Sequence, residues 1–99
     1  MPKYRLTNKA VDDLSNIWDY TFDTWSEIQA DSYYRHLIGN FQLLAENPGL
    51  GRKYDEVIQN LMGLKVGRHI IFYQILSPSE IEVIRILHGR MDLKNRLME

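Results

Sequence analysis

The residues best suited to chemistry lie in one run, IEVIRILHGRMD, at residues 81 to 92. Arg85 stands inside an otherwise apolar strand-like segment, and His88, Arg90 and Asp92 follow where that segment ends. A charge inside an apolar strand is costly unless it is paired. Arg85 is therefore expected to face a groove, with the cluster at the strand end beside it. Two readings compete. In one, the cluster is a cationic site at the mouth of a concave sheet. In the other, an Arg85–Asp92 ion pair pins the tail and the remaining groups are solvated.

Other polar constellations carry less. His36, His69 and His88 lack the spacing of a zinc motif, and there is no cysteine to act as a thiolate ligand or nucleophile. His36 and His69 read as surface residues. Asp12 and Asp13 are adjacent, so on a helix they point about 100° apart and do not form an acid–base pair. They read as a solvated first turn favoured by the helix dipole. Gly49-Leu50-Gly51 lacks the G-K-[ST] of a phosphate loop, and no G-x-S-x-G occurs. No catalytic residue, cofactor or metal is expected.

The positioning elements follow from periodicity. Tyr4 to Thr7 alternates as a short strand. Thr7 or Asn8 can cap a helix over 8–23, with Ala10, Leu14, Ile17, Trp18 and Thr21 on one stripe. Ser26 and Gln29 have capping-box spacing, and Trp25 and Ala30 hold the staple positions. The second helix runs on to about 46, where Pro48 and Gly49 end it. Gly39 within it marks either a close helix approach or nothing. Residues 47–60 read as a shaped loop, and strands follow near 61–67, 69–76 and 81–87, the last two joined by a turn at Ser77-Pro78-Ser79. The final twelve residues read as a tail or a short helix. The order β-α-α-β-β-β predicts an α+β two-layer domain over 1–99, an antiparallel helical hairpin on an antiparallel sheet. The first strand must pair with one of the later three.

The chain has 99 residues, 44 % hydrophobic and 25 % charged, which reads as one globular domain rather than a disordered chain. No apolar run reaches bilayer length and no signal-peptide core opens the chain, so a cytoplasmic location is expected. A net charge of -1 argues against general nucleic-acid binding. The charge is uneven, however: residues 1–50 balance at -3 and residues 51–99 at +2. A local basic face in the strand-rich half suits an acidic segment or a polynucleotide.

Taken in order, LTNKAVDDLSNIWDYT at 6–21, W-S-x-x-Q-A at 25–30, LAENPGLGRKYDE at 44–56, HIIFY at 69–73 and VIRILHGRMD at 83–92 resemble the ParE branch of the RelE/ParE toxin superfamily. The resemblance implies a β-α-α-β-β-β fold and a non-enzymatic toxin that traps DNA gyrase on cleaved DNA. It also implies a ParD-like antitoxin, whose acidic C-terminal segment folds onto the toxin and whose N-terminal half dimerises to bind DNA. DNA is then met only through antitoxin and gyrase. Arg68, Tyr73, Arg85, His88, Arg90, Met91 and Asp92 are assigned to target or partner contact. The alternative is a RelE-like ribosome-dependent mRNA endonuclease, for which His88, Arg85 and Arg90 would supply parts of an acid–base and phosphate-binding set. The low net charge counts against it, as does the lack of any Phe, Tyr or Trp after Tyr73 to stack a base. A third reading is a chain that has lost toxicity and only binds an antitoxin.

Overall fold

The computed structural model describes residues 1–90 and 92–98. Strand β1 (Lys3–Leu6) leads into helices α1 (Asn8–Thr24) and α2 (Glu27–Glu46). A single 3-10 turn (Pro48–Leu50) and a two-residue strand β2 (Arg52–Lys53) come next. Strands β3 (Met62–Val66), β4 (His69–Ser77) and β5 (Glu80–His88) follow, and a short helix α3 (Leu93–Leu97) completes the described chain.

Three helices pack on a five-stranded sheet of order β1-β5-β4-β3-β2. β2 to β5 are antiparallel neighbours, but β1 lies parallel to β5, with Lys3 opposite Glu80 and Leu6 opposite Val83. The sheet is therefore mixed, not purely antiparallel. Strand alternation does not encode direction, whereas a parallel neighbour needs a long crossover, which the two helices provide. The region read as loop also holds β2 and the 3-10 turn.

Each helix starts where its cap chemistry places it. The Thr7 hydroxyl accepts from Ala10 N and donates to the Ile84 carbonyl at 2.6 Å, so the cap of α1 is bolted to β5. Ser26 Oγ accepts from Gln29 N at the start of α2. Trp25 is 60 % exposed, so no staple closes over that cap. Nothing approaches Gly39, which leaves it without a packing role.

The main core lies between helices and sheet. Leu14, Leu37, Phe41 and Leu44 meet Ile71, Tyr73, Ile81, Val83 and Ile86 there. The opposite face of the sheet is also covered. Tyr54, Leu61, Ile70, Phe72 and Leu87 form a second cluster, closed by Val57 and Ile58 of the 54–61 loop and by Leu93 and Leu97 of α3. The last residues thus include a short helix with an apolar task. No helix among the described residues is long and apolar enough to cross a membrane.

Candidate functional site

β5 outruns its neighbour. β1 pairs only as far as Val83, and beyond it the edge of β5 is met by side chains. A one-residue register shift falls there: Tyr73 lies opposite Val83 and Phe72 opposite Arg85, so Ile84 is an extra residue. Bulges of this kind re-aim the side chain that follows, here Arg85, toward α1. Its Nε donates to Asp13 Oδ2 at 2.8 Å and its Nη2 to Asp13 Oδ1 at 3.0 Å. Asp13 Oδ2 also accepts from Ile86 N at 3.0 Å, capping the bare strand edge, and Arg85 Nη1 donates to the Arg96 carbonyl at 2.9 Å. The two side chains are 11 % and 12 % exposed. This bidentate pair ties α1, β5 and α3 together.

Three expectations change as a result. Arg85 borders the groove, but its guanidinium is committed inside the protein and does not serve as a partner contact. Its counter-ion is Asp13, not Asp92. Asp13 is not a solvated residue of a first turn but a half-buried acceptor of three hydrogen bonds. The cap explains the pairing: Thr7 fastened to Ile84 sets the first turns of α1 beside the end of β5, a contact that no local sequence pattern shows. Tyr73 is also corrected. It is fully buried, accepting from Gly51 N at 3.0 Å and donating to the Pro48 carbonyl at 2.6 Å. It holds the 48–51 turn against the sheet. A Cβ at Gly51 would lie 2.7 Å from that hydroxyl, which explains the glycine.

Beside the Arg85–Asp13 pair lies an open groove of about 1170 Å³ between α1, the start of α2 and the ends of β4 and β5. Among the described residues Lys9, Arg68, Arg85, Arg90 and Arg96 line it, with Asp12 and Asp13. Arg68 and Arg90 are exposed, and neither guanidinium makes an ion pair with the described residues. Asp92 is exposed and caps α3, its carboxylate taking Asn95 N and Asn95 Nδ2. Met91 lies outside the described residues.

His69 is part of this site, although its sequence position suggests a surface residue. Its ring is half-buried opposite His88, with ring centroids 5.5 Å apart. Burial, then the neighbouring His88, pull its pKa down to about 4, with Asp13 opposing. Tyr33 of α2 supports it from below. The Tyr33 hydroxyl lies 2.6 Å from His69 Nδ1 and accepts from Arg68 N, and burial raises its pKa. It also sits over the left-handed Gly67 (φ 58°), where a Cβ would come within 2.8 Å of it. Tyr33 has ordinary core spacing on its helix, so its polar role left no mark in the periodicity.

The helical hairpin on a mixed sheet has counterparts among known proteins. Residues 4–93 match the family described as ParE toxin of type II toxin-antitoxin system, parDE. Toxin ParE1 of Mycobacterium tuberculosis is 38 % identical over 95 residues, covering 96 % of this chain and 97 % of the relative. Toxin ParE1 of Caulobacter vibrioides is 33 % identical over 97 residues, covering 98 % and 99 %. The chain belongs to the ParE toxin family of type II toxin–antitoxin systems. A solved structure titled as the chromosomal ParDE TA system from P. aeruginosa shares the fold, with a TM-score of 0.75 over 89 % of this chain and 96 % of that one, at 18 % identity.

Proposed function

We propose that this chain, as one domain over 1–99, is a cytoplasmic toxin that inhibits DNA gyrase without a reaction of its own and is neutralised by a ParD-like antitoxin in a hetero-oligomeric complex. Family membership supports the toxin class, and the family is that of toxins from toxin–antitoxin systems, as is the solved ParDE system that shares the fold. The observation that carries the reading is the open end of the groove. Arg68 and Arg90 are exposed there with His88 between them, a polar cluster that neither core uses. Charges placed this way steer and orient a macromolecular partner. An acidic antitoxin segment covers these cations, and gyrase meets the same strand end with Asp92 beside it.

The test uses purified protein with gyrase, supercoiled plasmid and ATP, and in parallel with translating ribosomes. Linear DNA in the first mixture supports the proposal. Cut message in the second with intact plasmid in the first replaces it with the nuclease reading.

A further inference from the structure

Arg68, His69, His88 and Arg90 meet at one end of the groove from adjacent chain segments. His69 and His88 are cross-strand partners, and Gly89 N donates to the Arg68 carbonyl at 3.1 Å, which ties the two turns together. Each imidazole has its Nδ1 engaged. His88 Nδ1 accepts from Arg90 N at 3.1 Å, so a neutral His88 carries its proton on Nε2. The Tyr33 hydroxyl donates its one proton to the Val66 carbonyl at 3.2 Å, so across its 2.6 Å contact with His69 a neutral His69 donates from Nδ1 and keeps Nε2 as an acceptor. Neither Nε2 has a partner among the described residues, and neither is sealed from solvent. With the two exposed guanidiniums, this end of the groove offers donors from three side chains, Arg68, His88 and Arg90. The carboxylate nearest in role, Asp13, is committed to Arg85.

Two further side chains lie along the same groove. Tyr20 is 65 % exposed and Trp25 is 60 % exposed. Of the aliphatic side chains along it, Ile86 is buried and Ile17 is partly exposed. Flat ring faces beside a row of cations are what single-stranded nucleic acids use.

We propose that this groove binds a single-stranded nucleic-acid segment. Its phosphodiester backbone sits at Arg68, His88 and Arg90, and its bases stack on Trp25 and Tyr20. The forked guanidiniums match a phosphate, and the His88 Nε2–H adds a direct donor. The site does not depend on gyrase inhibition, so either reading can fail alone.

The experiment is fluorescence anisotropy of the purified chain with a labelled single-stranded oligodeoxynucleotide of about ten nucleotides, a length within the site sizes of single-strand binders. Binding at low salt is expected. In R68A/R90A, whose side chains are exposed and leave the fold unchanged by circular dichroism, the slope of log affinity against log salt falls by about 1.4, or about 0.7 per lost phosphate contact. Trp25→Ala weakens binding roughly tenfold through lost stacking. No binding by the wild-type chain overturns the proposal, as does binding that R68A/R90A leaves unchanged. A polyglutamate peptide of equal charge that binds as tightly, with no loss in Trp25→Ala, also overturns it by showing a general anion surface.

Discussion

Two sets of arginines border one groove and live under opposite conditions. Arg85 is nearly buried, gripped by Asp13 and by the Arg96 carbonyl. Arg68 and Arg90, in the turns just before β4 and just after β5, are exposed. Desolvation separates their roles. A guanidinium taken out of water must spend its hydrogen bonds internally, and then holds elements together. One left in water keeps its donors for a partner. The groove therefore has a structural wall and a free end, and the sequence writes both with the same residue type.

Breaking the structural wall gives the largest expected effect on stability. Asp13→Ala strands the Arg85 charge and the Ile86 N–H, at a cost of about 3 kcal/mol. That appears as a lower urea midpoint at unchanged slope. A double replacement, D13L/R85M, is expected to recover most of the loss, because removing both charges relieves the desolvation of both. If Asp13→Ala is as stable as the parent chain, the two arginine environments are not distinct.

Tyr73→Phe ranks second. It deprives Gly51 N and the Pro48 carbonyl of their partner and costs about 1–2 kcal/mol in the same assay. A gyrase effect in this variant beyond its loss of folded protein would return Tyr73 to the contact surface.

Acid sharpens the comparison at the junction of the two regions. His69 titrates near 4 in the folded chain, below its ordinary value of 6.5. The unfolded chain thus takes up the proton first as pH falls, and stability rises with pH across that window. Stability is full above pH 6.5 and declines toward pH 4. Thermal melts of His69→Gln against the parent chain check this, the variant showing a shallower decline.

The smallest effect on stability belongs to the free end. R68A/R90A is expected to stay within about 0.5 kcal/mol of the parent, since neither side chain packs or pairs with the described residues. Its antitoxin binding is expected to weaken and to lose salt dependence, as read by titration at two ionic strengths.

Much of this was legible before any coordinates. Thr7 and Ser26 marked the helix starts through their capping chemistry, Pro48 marked the stop, alternation marked β1, and two apolar runs joined by a polar turn marked β4 and β5. Arg85 announced the site because a charge amid Val83, Ile84, Ile86 and Leu87 demands an explanation. Its partner was hidden, since Asp13 lies 72 positions away and reads locally as one more polar helical residue. The parallel placement of β1 and the bulge at Ile84 were hidden for the same reason: long-range register is not a local property. Tyr33 read as apolar mass and Tyr73 as a contact residue, and only the fold shows that both hydroxyls find partners inside the protein. The short helix α3 was left open because five residues carry too little periodicity to distinguish it from a tail.

The central claim is that the free end of the groove, not its locked wall, meets the target. The most direct measurement is gyrase-mediated plasmid linearisation by the parent chain and by H88A/R90A/D92A, each first shown to be folded. The account predicts linear DNA with the parent chain and none with the triple variant. Full linearisation by the folded triple variant would contradict it.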